Sequence, residues 1–253
     1  MYELLQVNIQ RGDKHLLQHF DLYFRPQKIT AIIGANGAGK STLFKALLGD
    51  IAIDSGTISF AGKAIQQWSL DSLSRHRAYI AQSFRPVFAM PVYEYLLLAR
   101  EPYTESEKHS ERLIFDVAND IGIQHKLFTC ITQLSGGEFQ LVEFARAWLQ
   151  LSENKDMSGK CLMLDEPSSA LDIYQSQQLY RHILRFKDAG GTALIIDHDV
   201  NAVAKLADDL VMINAGALQT FGTAEDVFTA ENINHCFNTQ GHIYQHAYQL
   251  SYS

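Results

Sequence analysis

Eight consecutive residues, Gly34-Ala35-Asn36-Gly37-Ala38-Gly39-Lys40-Ser41, fit the pattern G-x-x-x-x-G-K-[ST], and Thr42 follows. Glycines at these positions let successive backbone N–H groups turn inward and form an anion nest. A helix opening near Lys40 aims its positive dipole end at the same point. Lys40 supplies a compact positive charge for β- and γ-phosphates, and Ser41 offers a hydroxyl to Mg²⁺. The plainer alternative is a glycine-rich turn before a helix. A buried strand before the motif and a helix after it favour the phosphate reading.

A second candidate lies at Leu162-Met163-Leu164-Asp165-Glu166, an apolar run ending in two carboxylates. Alone, such a pair reads equally well as a solvated strand end. Beside a phosphate loop, Asp165 is expected to hold Mg²⁺ through water. Glu166 is then placed to polarise the attacking water, work worth roughly 10²–10⁴ in rate.

The elements that must position these residues follow from patterning. Ile29-Thr30-Ala31-Ile32-Ile33 is nearly all apolar, the mark of a strand buried on both faces. It stops at Gly34, and a helix is predicted from Lys40 to Leu48 with Gly49 as its stop. Further strands are predicted at Glu3–Asn8, Leu16–Phe24, Thr57–Phe60, Ala78–Ala81, Cys161–Leu164, Thr192–Ile196, Val211–Ile213 and Ala217–Thr220. From Ser83 to about Gln150 the character is helical, and Leu113, Ile114, Val117, Ala118 and Ile121 share one face before Gly122. Ile173, Tyr180, Ile183, Leu184 and Lys187 suggest another amphipathic helix, closed by Gly190-Gly191. Ser152 to Lys160 is polar and reads as a surface loop, and the segment after Glu231 has no clear pattern.

Composition bounds the answer. With 253 residues, 47% apolar and 19% charged, the chain can bury a large core, and disorder or a coiled-coil rod is excluded. The balance of 21 Lys+Arg against 28 Asp+Glu gives −7, a poor match for a nucleic-acid binder. No apolar run approaches the ~18 residues of a membrane span, and Met1-Tyr2-Glu3 does not begin a secretory signal. Three widely spaced cysteines, Cys130, Cys161 and Cys236, suggest neither a disulfide framework nor a zinc site. The expectation is a cytoplasmic protein able to dock on a membrane protein.

Leu134-Ser135-Gly136-Gly137-Glu138 adds a third motif. With the phosphate loop and Asp165-Glu166, in that order, it makes the sequence resemble the ATP-binding cassette ATPases over about residues 1 to 230. Gln82 falls where the family's Q-loop glutamine lies, Ser169-Ala170-Leu171-Asp172 resembles its D-loop, and His198 in Asp197-His198-Asp199 resembles its switch histidine. A lone histidine is otherwise a core or surface residue; its place after the strand Thr192–Ile196 favours the switch.

The resemblance implies an α/β fold, a P-loop NTPase core of mainly parallel sheet with helices plus an inserted α-helical subdomain. It implies one cassette domain over 1–253: a core of about 1–82 and 160–230, a helical subdomain of about 83–159 and an extension at 231–253. ATP and Mg²⁺ are the implied cofactors, and ATP hydrolysis the implied activity. Gly34, Asn36, Gly37, Ala38, Gly39, Lys40, Ser41 and Thr42 would bind nucleotide. Ser41, Gln82 and Asp165 would serve the metal, and Glu166, Gln82 and His198 the reaction. Ser135, Gly136, Gly137 and Asp172 would act across a homodimer, since in this family Ser135-type residues serve the nucleotide bound by the opposite subunit. Two small residues before a helix do expose N–H groups toward a phosphate.

Three departures from the family pattern stand out. Arg11 occupies the place of an adenine-stacking aromatic, although a guanidinium can stack on a base. Leu141 stands for the usual arginine after the signature, and Gln27-Lys28 for a glycine before the third strand. None of these removes a catalytic group.

Phe60-Ala61-Gly62, Trp68-Ser69, Leu73, His76-Arg77-Ala78-Tyr79, Gln82, Phe88-Ala89-Met90-Pro91-Val92 and Tyr95-Leu96 resemble the importer branch that serves cobalamin, haem and ferric siderophores, cobalamin first. The implied partners are a membrane permease dimer and, indirectly, a periplasmic substrate-binding protein; no nucleic acid is implied. The implied location is the inner face of the cell membrane. Phe84, Arg85, Phe88, Met90 and Tyr95 are candidate permease contacts, the alternative being packing within the helical insert. A regulatory ATP-binding cassette and an exporter ATPase remain as rival readings. His242 and His246, four apart, and His235-Cys236 read as a solvated tail rather than a metal site.

Overall fold

A computed structural model of the chain describes residues 1–82, 88–153, 156–169 and 171–238. In chain order the elements are β1 (Tyr2–Arg11), β2 (Lys14–Tyr23), β3 (Ile29–Ile33), α1 (Lys40–Leu48), β4 (Ser55–Phe60), β5 (Lys63–Ala64), α2 (Leu70–Ser74), β6 (Arg77–Ile80), α3 (Val92–Leu97), α4 (Glu107–Ile121), α5 (Gly136–Leu151), β7 (Cys161–Asp165), α6 (Ile173–Asp188), β8 (Thr192–Ile196), α7 (Val200–Leu206), β9 (Asp209–Asn214), β10 (Ala217–Thr223), α8 (Ala224–Val227) and α9 (Ala230–Phe237). They fall into two units, Met1–Trp68 with the chain from Thr192 onward, and Ser69–Gly191.

In the first unit, β3 and β8 bury every residue, which their continuous apolar runs require. β3 lies between β8 and β9 and is parallel to both, and β10 pairs antiparallel with β9. A separate antiparallel sheet runs β2-β1-β4-β5. Along β1, buried Tyr2, Leu4, Val7 and Ile9 turn to the core, and register shifts at Leu4/Val7 and Val7/Ile9 break strict alternation. Tyr2 packs on Phe60 at 4.7 Å between ring centroids, and Trp68 meets Phe60 edge-on at 5.5 Å. Arg25 forks onto the fully buried Asp209, the bidentate pairing that makes burial of a carboxylate tolerable.

In the second unit, β6 and β7 are parallel, with Arg77 opposite Cys161 and Ile80 opposite Leu164. The described residues between them are largely helical. Ser106 caps the start of α4, and Gly122, at φ 86°, ends it. α5 and α6 are locked by rings: Phe144 lies 5.8 Å from His182, and Trp148 meets Phe186 edge-on at 5.6 Å. Burial holds the His182 imidazole down to about 4, with Arg185 and Arg181 adding to the effect, so it packs as a neutral ring.

Three expectations change. The segment Ser152 to Lys160 is not simply a surface loop: Ser152, Met157 and Lys160 are buried. Arg100 reaches the Ser152 carbonyl at 2.6 Å and also the Leu149 carbonyl, which draws the end of α5 inward. Ile173 starts α6 but is 74% exposed; the buried face is Leu179, Tyr180, His182, Ile183 and Phe186. After Glu231, α9 runs on to Phe237, and Cys236 is buried there rather than solvated. His242 and His246 lie outside the described residues. Among the described residues, no helix is long and apolar enough to cross a membrane.

Candidate active site

The phosphate loop lies in the first unit, between β3 and α1. Gly39 has φ 112°, a conformation that only glycine adopts without strain. A Cβ there would sit 2.8 Å from the Leu16 carbonyl oxygen, and one at Gly34 would run into the Ile213 carbonyl. The neighbouring backbone therefore dictates both glycines. The Ala38 carbonyl accepts from the Gly216 N–H at 2.9 Å, fastening the loop to the β9–β10 turn. Lys40 Nζ donates back to the carbonyls of Gly34 at 2.7 Å and Ala35 at 3.1 Å. The lysine thus spans the loop, its ammonium held within the cradle. Asn36 and Gly37 at the crest and Ser41 at the helix start are exposed, and Thr42 is half-buried. This arrangement fits a polyphosphate: a cradle of backbone, a held cation and a helix N-terminus converge.

Cys236 adds a feature that the sequence did not reveal. Its thiol lies 3.6 Å from the Ile213 carbonyl, fixing α9 beside the strand that backs Gly34. His198, at the end of β8 in the same unit, is exposed, while Asp197 before it is buried. Asp199 caps α7 through the Ala202 N–H at 3.0 Å, which fixes the turn that carries His198.

The second unit carries the carboxylates. Asp165 is buried at the end of β7, and Tyr79 on β6 donates its hydroxyl to Asp165 Oδ2 at 3.3 Å. Glu166 follows with φ 51°. A non-glycine residue there costs about 1–3 kcal/mol, and such strain concentrates at functional sites. Gln82 Nε2 donates to the Glu166 carboxylate across 84 residues of sequence, so the structure brings together two residues that were expected to serve one reaction. That contact uses the amide nitrogen; the amide oxygen is the atom that can ligate a cation.

Ser41 in the first unit, and Asp165 and Gln82 in the second, each carry a hard oxygen donor of the kind Mg²⁺ takes. Among the described residues no three His, Cys, Asp or Glu form a metal cage. A donor set this sparse fits an ion that arrives with the phosphates, as Mg²⁺ commonly does.

The signature motif opens α5. Ser135 is the N-cap: its hydroxyl accepts from the Glu138 N–H at 3.2 Å, and its own N–H donates to Glu138 Oε2 at 2.8 Å. Lys126 pairs with Glu138 at 2.7 Å and, with the Ser135 N–H, holds that carboxyl down to about 2. Ser135 is exposed, Gly136 half-buried and Gly137 buried. Asp172 caps α6 in the same way, accepting from the Gln175 N–H at 2.7 Å.

Other candidates divide. Arg11 spends its guanidinium on the carbonyls of Gln10 at 2.6 Å and Ala52 at 3.0 Å, which ties it to its own unit. Gln27, in the Gln27-Lys28 pair expected to replace a glycine, adopts φ 57° and donates its N–H to Thr192 Oγ1 at 2.9 Å. Of the proposed permease contacts, Phe84 and Arg85 lie outside the described residues. Phe88 is 75% exposed and Met90 is half-buried. Tyr95 is 7% exposed, with its hydroxyl on Glu143. Burial first, then Glu143, pushes its phenol well above the ordinary range. Tyr95 packs within the helical insert and shows only its edge at a groove.

Known proteins bear directly on this arrangement. Residues 17–169 match the family model for the ABC transporter domain. The chain is 38% identical over 239 residues to the vitamin B12 import ATP-binding protein BtuD of Vibrio cholerae, covering 93% of this chain and 94% of that one. It is 34% identical over 251 residues to the hemin import ATP-binding protein HmuV of Plesiomonas shigelloides, covering 95% of both. A nucleotide-free ATP-binding cassette from an ABC transporter superposes with a TM-score of 0.77 at 24% identity, over 93% of this chain and 94% of that one. A domain match across more than half of the chain, and relatives aligned almost end to end, place the chain in the ABC transporter family as an ATP-binding cassette that hydrolyses ATP.

Proposed function

We propose that the chain is the ATPase subunit of an importer, that it works as a homodimer beneath a separate membrane permease at the inner face of the cell membrane, and that the cargo is cobalamin. The observation that carries the cargo is the 38% identity to the vitamin B12 import protein, against 34% to the hemin import protein. Hemin is the second reading, and a ferric siderophore the third.

In this reading the loop from Gly34 to Thr42 holds the triphosphate, with Lys40 on its β- and γ-phosphates. Ser41, Gln82 and, through water, Asp165 would hold Mg²⁺, which neutralises charge developing on the phosphates. Glu166 polarises the attacking water, and His198 holds the γ-phosphate. Ser135, Gly136 and Gly137 of the partner subunit close over that phosphate, and Asp172 lines the same junction, so two copies make two complete sites.

A groove of about 530 Å³ in the second unit, lined by Tyr79, Tyr95, Leu98, Glu101, Glu143 and Arg146 among others, is the surface we assign to the permease. Leu98 there is 52% exposed, and a periplasmic binding protein would act only through the permease. The rival reading, a regulatory cassette that binds ATP without driving transport, has no use for Glu166.

The test is growth of a strain lacking this chain on trace cobalamin, on haem as sole iron and on ferric siderophore as sole iron. Failure on cobalamin alone supports the cargo. Failure on one iron source alone keeps the transport ATPase and replaces the cargo. Normal growth on all three, with no permease co-purifying, rejects the importer.

A further inference from the structure

Gln175 on α6 joins two motifs that lie far apart in sequence. Its N–H donates to Asp172 Oδ1 at 2.7 Å, and its side-chain Oε1 accepts from the Asp172 N–H at 3.2 Å. The same side-chain amide fills the space that a Cβ at Gly137 would need; the nearest atoms to that position are Oε1, Cδ and Nε2 of Gln175. One side chain therefore completes the cap of α6 and packs flat on the second residue of α5. Behind this contact the two helices are fastened by the Phe144–His182 and Trp148–Phe186 ring pairs. α5 and α6 meet at their starts as well as along their lengths.

We infer that Gln175 is a positioning residue that makes Asp172 and the Ser135–Gly137 helix start move as one body. The inference rests on the reading that these two segments face the nucleotide of a second copy. It also assigns a physical reason for glycine at 137: any side chain would displace Gln175 and open the Asp172 cap. Gln175 is not a residue of the phosphate loop, so its role is assigned to closure of two copies and not to first capture of ATP.

The test uses the full chain with three readouts: amide hydrogen exchange, equilibrium ATP binding by the separate chain, and steady-state hydrolysis. Gln175→Ala removes the acceptor of the Asp172 N–H and is expected to speed exchange severalfold at Asp172, the N-cap of α6, and also at Glu138 and Phe139 on α5. Hydrolysis should lose kcat severalfold while ATP binding by the separate chain is unchanged. Gln175→Glu, which keeps the reciprocal cap, should restore both.

Gly137→Ala should lower Tm in the parent, and lower it less in the Gln175→Ala background, where the space is vacant. Faster exchange confined to α6, or additive Tm losses in that pair, overturns the inference. A parent chain that neither binds nor hydrolyses ATP overturns the functional reading instead, and leaves the exchange and Tm results to decide the coupling.

Discussion

The Tyr79 hydroxyl donates to Asp165 Oδ2 at 3.3 Å, and the Tyr79 carbonyl accepts from Arg146 at 3.4 Å. Arg146 pairs with Glu143 at 3.0 Å, and Glu143 accepts from Tyr95. A continuous set of polar contacts thus runs from the proposed metal carboxylate, across β6, to α5 and α3 at the groove. Tyr79→Phe removes only the hydroxyl. A hydrogen bond to a charged group contributes about 1.5–3 kcal/mol, so hydrolysis should fall roughly tenfold. The Mg²⁺ concentration for half-maximal rate should rise, while ATP binding in EDTA stays unchanged. Unchanged Mg²⁺ dependence and rate would remove Tyr79 from the site.

Glu166→Gln separates binding from chemistry. The amide keeps an oxygen that can accept from Gln82, so the local backbone and the Gln82 contact should survive. What is lost is the carboxylate that polarises water, worth roughly 10²–10⁴ in rate. Phosphate release should fall by that factor while bound ATP persists. Hydrolysis within about threefold of the parent would mean that another group is the base.

What the sequence made legible was local. β3 and β8 were readable to the residue because burial on both faces forces a nearly all-apolar run, with one threonine in each. α1 was readable because Gly39 and Gly49, both at positive φ, bracket it. Ile173 was misplaced because it precedes the periodic face of α6, and α9 was missed because eight residues, half of them polar, give too short a pattern. Tyr95 could be weighed only between permease contact and packing in the insert, because its partner Glu143 is 48 residues away. The Gln82–Glu166, Tyr79–Asp165 and Gln175–Gly137 contacts likewise depend on which elements neighbour one another, which spacing along a chain does not encode. Gln27 carries a milder lesson: it holds φ 57° without being glycine, and the fold tolerates that because the strain costs only about 1–2 kcal/mol.

Acid should loosen the signature end of α5 before the phosphate loop. The carboxyl of Glu138 is held from the ordinary 4.5 down to about 2, first by Lys126 and then by the Ser135 N–H. A group whose folded pKa is lowered contributes stability above its unfolded value and loses it as pH falls through the folded one. The stabilisation should therefore be whole above about pH 4.5 and fade towards pH 2. Exchange at Glu138 and Phe139 measured from pH 5 to pH 2, after correction for intrinsic rates, should rise over that window. Glu138→Gln should flatten the rise; an equal rise in that variant would assign the acid effect elsewhere.

Arg100 anchors the opposite end of α5. It is 3% exposed, forks onto Glu105 at 2.8 and 2.7 Å, and donates to the carbonyls of Leu149 and Ser152. Its guanidinium also stacks 4.0 Å from the Tyr103 ring centroid. The arginine pairs with the Glu105 carboxylate and satisfies two helix-end carbonyls together, a geometry that a point charge cannot reproduce. Arg100→Met leaves that carboxylate and those carbonyls without the guanidinium, a loss of about 3–5 kcal/mol for a broken buried pair. Tm should fall by several degrees. Arg100→Lys should recover part of the loss, and Arg100→Met with Glu105→Gln should cost less than the two single losses summed. Because the clamp is at the far end of α5 from Ser135, residual folded protein should still bind ATP with the parent's affinity. A variant that keeps its Tm but loses ATP binding would mean that Arg100 serves the nucleotide and not the helix.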